Sequence, residues 1–171
     1  DVCSSDLKVG REKHREYREP KADGDSAVVL DVIDWLDASG KKILEEERRM
    51  TFRAANGVRT IDMDQDLIAS EGAVHVDDKK DAGLSIRVLT SMAVDSKQGG
   101  QIVNSDGITD AAAWSKRAKW CDYHGPVEGE QLGVAMLNHP SSFNFPTPWH
   151  IRTYGLFTAD RKSTRLNSSH R

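Results

Sequence analysis

Residues Ala27 to Phe52 read AVVLDVIDWLDASGKKILEEERRMTF, and the fold turns on whether the second half of this stretch is helix or strand. Ala27 to Leu36 is β-branched and aromatic, which favours a strand. Asp37-Ala38-Ser39-Gly40 then supplies a turn. Glu45, Glu46, Glu47, Arg48 and Arg49 have good helix propensity. Leu44, Met50 and Phe52 nevertheless share a two-residue parity, and Ile43 to Phe52 after a Ser-Gly turn suits a strand. The pair reads as a β-hairpin whose second member is an edge or half-exposed strand, where charges discourage sheet-to-sheet aggregation.

The same pattern continues outward. Asn56-Gly57 is a second turn signal, followed by Val58 to Asp66, in which Ile61 and Met63 alternate with Asp62 and Asp64. Leu84 to Val94 is a further strand candidate, and Gln101 to Asn104 a short one after Gly99-Gly100. Asp110 to Lys119 suits one or two helical turns with Asp110 as cap. In Trp120 to Pro126 the residues Trp120, Asp122 and His124 share one parity and Cys121 and Tyr123 the other, and Gly125-Pro126 marks a turn. Leu132 to Leu137 is apolar on both faces, as in a strand buried between layers. Pro140, Pro146 and Pro148 confine the next segment to a loop. Regular turn chemistry without a long helix predicts an all-β fold, an antiparallel β-sandwich or a large curved sheet.

Both ends read differently from the rest. DVCSSDL (Asp1 to Leu7) and DRKSTRLNSSH (Asp160 to His170) resemble in-frame translations of sequencing adapters, so 1–7 and 160–171 are expected to be non-native and 8–159 a partial β-sandwich domain. Setting aside three acidic residues (Asp1, Asp6, Asp160) and four basic ones (Arg161, Lys162, Arg165, Arg171) reduces the 27 acidic and 24 basic residues to 24 and 20, a formal charge of −4. Such a chain lacks the positive field that phosphate backbones require, which argues against a nucleic-acid partner. Leu7 to Arg18 is basic but balanced by glutamates, and reads as solvated surface. No apolar run approaches the ~18 residues of a membrane-spanning helix. With Cys3 set aside, Cys121 has no partner for a disulfide and reads as a small buried hydrophobe.

Three stretches carry side chains able to do chemistry. In WHIRTYGLF (Trp149 to Phe157), an extended chain places Trp149, Ile151 and Phe157 on one face and His150, Arg152 and Tyr154 on the other. An imidazole, a fixed cation and a phenol in one row suit a polar or anionic group. Asp122, beside Trp120, is a candidate to orient an imidazole or act as general base. In the proline loop His139 and Asn144 are candidates, since binding residues favour loops held by a rigid scaffold. The candidate catalytic residues are His150, His139 and Asp122, and the candidate ligand-binding residues Arg152, Tyr154, Trp120 and Asn144. His75 reads as a solvated loop residue. No HxH, HExxH or CxxC spacing occurs, so no metal ligands are assigned and any cofactor is left unknown.

On the residues DWLDASGKKILEEER, DDKKDAGLSIRV, GGQIVNSDG, KRAKWCDYHGPVEGEQLGVAMLNHP and PTPWHIRTYGLF, the chain resembles the C-terminal part of the bacterial PmoA-like family, labelled methane oxygenase PmoA. The family's usual Asp-His-Pro stands here as Asn138-His139-Pro140. The resemblance implies a soluble, exported β protein, periplasmic or extracellular, similar in outline to the large sandwiches of sugar epimerases. Together with Trp114, Trp120 and Trp149, the polar candidates lead to the expectation of a protein that binds or processes a small-molecule or glycan ligand of carbohydrate-like polarity. The alternatives are the metal-dependent oxygenase that the label states and a non-catalytic interaction module.

Overall fold

A computed structural model describes residues 9–76, 83–142, 144–160 and 164–166. The chain is all-β: its strands are β1 (Arg11–Asp23), β2 (Ser26–Leu36), β3 (Lys42–Ala55), β4 (Val58–Ile68), β5 (Val74–Val76), β6 (Gly83–Arg87), β7 (Gln101–Asn104), β8 (Trp120–Val127), β9 (Glu130–Leu137), β10 (Trp149–Ile151), β11 (Leu156–Asp160) and β12 (Thr164–Leu166). The described pairings are antiparallel throughout. No helix among these residues is long and apolar enough to cross a membrane. The strands fall into two compact units, 1–76 with 164–171, and 77–163. The expected adapter segment 1–7 lies outside the described residues, as do 161–163 and 167–171. Thr164–Leu166 of the expected adapter tail pairs with β5.

The first unit is the four-stranded meander β1-β2-β3-β4. The strand reading of residues 43–52 holds, but β3 lies between β2 and β4 and is not an edge. Its charges meet partners across the sheet. Arg15 donates to Glu45 at 2.7 Å and to Asp34 at 3.0 Å, and the Lys42 Nζ lies 2.8 Å from Glu45 and 2.9 Å from Asp34. Glu46 is fully buried, on the sheet face of Leu44 and opposite Ile33. Its carboxylate accepts from Trp35 Nε1, Arg48 Nε and Gln65 Nε2 at 2.8, 2.7 and 2.6 Å, so a costly burial is compensated. Within the basic segment read as solvated surface, residues 9–18 are exposed, yet residues 11–18 belong to β1, one of the sheet's two outer strands. His75 is exposed as expected but lies in the short strand β5 rather than in a loop.

The second unit packs two three-stranded sheets, β7-β8-β9 and β10-β11-β6, face to face. Alternation turns Cys121, Tyr123 and Met136 inward from one sheet and Trp149, Ile151 and Phe157 inward from the other. The Tyr123 and Phe157 ring centroids lie 6.4 Å apart, those of Trp149 and Phe157 5.7 Å. Each buried aromatic is worth roughly 3–5 kcal/mol against alanine. Their polar ends are satisfied: Trp149 Nε1 donates to the Ala118 carbonyl at 2.9 Å. The Tyr123 hydroxyl donates to the Thr153 carbonyl at 2.9 Å and accepts from the Val94 N–H at 3.1 Å.

Several expectations need correction here. The strand expected over residues 84–94 ends at Arg87, and two 3-10 turns follow, Thr90–Met92 and Val94–Ser96. Met92 packs where Gly100 and Gly125 have no side chain; a Cβ on Gly100 would fall 2.0 Å from the Met92 carbonyl oxygen. Asp110 begins a single 3-10 turn whose N-cap is Thr109, while its own carboxylate accepts from the Ile102 N–H at 3.0 Å. β8 continues through Gly125-Pro126, and the turn falls at Glu128-Gly129, both at positive φ as a tight hairpin requires. Pro126 is tolerated because the β7–β8 ladder has already ended at Gln101↔His124. β9 is the outer strand of its sheet; Met136 alone of its residues is buried, and Leu132, Val134 and Leu137 are exposed. WHIRTYGLF is not one strand but a hairpin: β10, a turn closed by Gly155 N–H to Arg152 O at 3.0 Å, and β11. Trp149, Ile151 and Phe157 still share the inner face because Ile151 lies opposite Phe157.

Two stability tests follow from these contacts. Hydrogen bonds from Arg15 and then Lys42 hold the Glu45 carboxyl down to about 2, against an ordinary value of 4.5. A depressed folded-state pKa stabilises above the unfolded value and that stabilisation is lost as the pH falls toward the folded one. Acid unfolding of Glu45→Gln should therefore lose part of its slope between pH 4.5 and 2, with a change at neutral pH of about 1 kcal/mol or less; an unaltered acid limb counts against the pairing. Tyr123→Phe leaves the Val94 N–H without its acceptor and should cost about 1–3 kcal/mol in thermal or urea melts, whereas Tyr17→Phe, at an exposed ring, should stay within roughly 0.5 kcal/mol of the parent.

Candidate functional site

Within the second unit, side chains that alternate with the core residues must point away from it, so the two sheets present two outer faces on opposite sides. On β8, Trp120, Asp122 and His124 alternate with buried Cys121 and Tyr123 and form a row on the outer face of β7-β8-β9. Asp122 Oδ2 lies 2.5 Å from His124 Nδ1. A carboxylate only accepts, so Nδ1 carries the proton and Nε2 of the neutral ring is left as an acceptor. Gly133, opposite His124 on β9, makes room for the pair: a Cβ there would lie 3.0 Å from His124 Cβ and 3.3 Å from Asp122 Oδ1. The Trp120 indole is 37% exposed at the end of the row. An indole face, an oriented imidazole and a carboxylate thus share one open surface, and the imidazole is placed to take or give a proton.

Across the core, the outer face of β10-β11-β6 carries His150 opposite Thr158, and Thr158 opposite Ser85. The hydroxyls of Thr158 and Ser85 lie 2.9 Å apart. Arg152 continues the His150 parity at the end of β10, and Arg87 ends β6 opposite Leu156. Tyr154 sits on the turn between them. The Arg152 guanidinium lies 5.6 Å from the Tyr154 ring centroid and 5.3 Å from that of Trp114; Arg87 lies 5.6 Å from the Tyr154 ring.

The loop candidates are held by their own surroundings. His139 Nδ1 accepts from the Ser141 N–H at 3.2 Å and lies 2.7 Å from its hydroxyl, an exposed local turn. Asn138 Oδ1 accepts from the Thr147 N–H at 3.2 Å, work that an aspartate at this position could also do. Asn144, at φ 66°, accepts from Arg117 through Oδ1 at 3.2 and 3.3 Å, and Arg117 also reaches the Pro146 carbonyl at 2.7 Å. Arg117 thereby pins the proline loop, and the Asn144 oxygen is committed to it.

The predicted residues are accordingly not one cluster. Trp120 and Asp122 meet on one outer face; Arg152 and Tyr154 meet on the other, with His150 on the same sheet; His139 and Asn144 stay in their loop. Asp122 and His150 project from opposite sides of the core and cannot share a ligand. Trp149, counted among the ligand-facing indoles, is 1% exposed and belongs to the core. His124 and Arg87 were missed. The parity of Trp120 to His124 already placed His124 beside Asp122, whereas Arg87 joins Tyr154 only through the β6–β11 pairing, for which no local signal exists. Burial, followed by the charges of Asp106 and Asp122, pushes the Cys121 thiol up to about 12, which removes it as a nucleophile.

No three His, Cys, Asp or Glu side chains among the described residues are arranged to hold a metal. Two shallow depressions among these residues lie in the first unit, at the Asn56-Gly57 and Ser39-Gly40 hairpin ends, and touch none of the candidate side chains.

A model of a family of unknown function, DUF6807, matches residues 3–170, and the chain belongs to that family. No curated protein and no solved structure matches it.

Proposed function

We propose that this member of the DUF6807 family binds or processes a carbohydrate-like polar ligand on the outer face of β7-β8-β9. The observation that supports this most is the Asp122–His124 pair set beside the exposed Trp120 indole. A sugar ring offers an apolar C–H face and a rim of hydroxyls. The indole supplies the flat apolar partner, and the imidazole Nε2 and the carboxylate oxygens supply acceptors for the hydroxyls of the rim. In a processing reaction His124 Nε2 would exchange the proton while Asp122 holds the ring in one tautomer. The resemblance to the PmoA-like family, with its outline of sugar-epimerase sandwiches, favours the same ligand class by analogy of fold alone.

A second reading, a non-catalytic interaction module, is favoured by one specific feature: Trp120 and Tyr154 stand exposed on a sheet face and a turn, whereas small-molecule sites usually enclose most of their ligand.

The discriminating experiment presents the full chain to an array of neutral oligosaccharides. The carbohydrate proposal expects retention of at least one glycan, lowered about tenfold or more by Trp120→Ala, a loss of about 1.4 kcal/mol. Asp122→Asn should lower any turnover of that glycan by much more than its affinity. Absence of retention by a chain shown to be folded by circular dichroism overturns the proposal, and retention of a protein partner in place of glycans favours the interaction module.

A further inference from the structure

We propose that the β10–β11 turn is a separate site for an oxyanion, built by Arg87 and Arg152 around Tyr154, which would take the carboxylate, sulfate or phosphate group of a small acidic ligand. The two guanidiniums each lie 5.6 Å from the centroid of the Tyr154 ring, so they are no more than about 11 Å apart and within reach of one ligand. Neither has a carboxylate partner or a hydrogen-bond acceptor among the described residues, whereas Arg15, Arg18, Arg48, Arg49 and Arg53 of the first unit each meet a carboxylate. Like charges gathered on one ring repel, and stacking on aromatic faces offsets only part of that cost. What remains is an unneutralised double positive charge in a chain of net charge −3.

An acidic residue bonded to this turn does not fill the role. Asp95 donates its backbone N–H to the Thr153 carbonyl within the same turn at 3.1 Å, but its carboxylate pairs with neither arginine. The guanidinium N–H groups are therefore free to offer the planar, forked donor set that oxyanions accept. Accessibility is also in place, because Trp114 is 49% and Tyr154 46% exposed. Their rings give the organic part of a ligand two apolar surfaces beside the charge. The turn itself is rigidly based: the Thr153 carbonyl is held by the buried Tyr123 hydroxyl, and Gly155, at φ 99°, closes against Val88. This site stands on different residues and a different face from the carbohydrate proposal and does not depend on it.

The test is titration of the full chain at low ionic strength with inorganic phosphate, inorganic sulfate, glucuronate and, as neutral counterpart, glucose, followed by calorimetry and by the NMR signals of the Trp114 indole and the arginine Nε–H groups. Saturable binding of at least one anion is expected, with no shift of these signals by glucose. Arg87→Gln and Arg152→Gln should each weaken it about tenfold, Arg152→Lys should restore it only in part, and added salt should weaken it further. Glucuronate as the preferred arm identifies an acidic sugar, and phosphate or sulfate as the preferred arm a tetrahedral ester. All three variants and the parent should melt alike, since neither arginine is buried. Failure of all three anions to bind the folded chain, or binding that survives both Arg→Gln substitutions, overturns the proposal.

Discussion

The second unit depends on one buried side chain more than on any other. Tyr123 projects from β8 into the space between two sheets, touches Phe157 of the facing sheet, and spends its hydroxyl on backbone groups of two loops, the Val94 N–H and the Thr153 carbonyl. Burial pushes its phenol above the ordinary range, which favours the neutral donor form. One residue thereby sets the spacing of the sheets and the place of the β10–β11 turn. It also decides what the surface can do: with Cys121 and Tyr123 turned inward, Trp120, Asp122 and His124 have no direction but outward, and His150, between the inward Trp149 and Ile151, faces the other way.

A strand of period two can therefore bring chemistry together along one face and cannot bring it together through a core. Asp122 with His124 and Arg152 with Tyr154 are groupings the alternation permits. Asp122 with His150 is one it forbids, however suggestive both residues are in isolation. Glycine takes part in the first grouping by absence: Gly133 leaves the volume that the carboxylate–imidazole pair occupies, and any side chain there would have to displace it.

Much of the architecture was legible because it rests on local pattern. The hairpin at Asp37 to Gly40, the turn at Asn56-Gly57, the strands β2, β4 and β7, and the inward triplet Trp149, Ile151 and Phe157 all follow from turn chemistry and parity. What was illegible has physical causes. β1 is polar on both faces and exposed throughout, so no alternation marks it as a strand. β9 looks like a buried strand by composition, yet burial depends on what lies beside a strand, and among the described residues nothing flanks β9 on its outer side. Gly125-Pro126 signals a turn wherever a ladder needs the missing N–H, and here the ladder on that side has stopped. The site residues divide in the same way: His124 was within reach of the alternation, while Arg87 becomes relevant only when β6 pairs with a strand some seventy residues later, as Leu156↔Arg87 shows.

Openness is the property that the Trp120 row and the β10–β11 turn share, and it constrains the kind of ligand each can hold. A flat face cannot strip water from all sides of a small neutral molecule, so each contact is made against competition from solvent and contributes little. Affinity on such a surface has to come from groups that keep their value when wet. A wide aromatic plane does so because its apolar area is removed from water whatever happens at the rim, and Trp120 provides one. Forked guanidiniums do so because their donors match an oxyanion in geometry as well as charge, and Arg87 with Arg152 provides two. Neither face relies on an enclosed cavity. The difference between them is one of sign: an oriented imidazole and a carboxylate on one side suit hydroxyl groups, and uncompensated cations on the other suit anions, with the Tyr123 layer keeping the two chemistries apart.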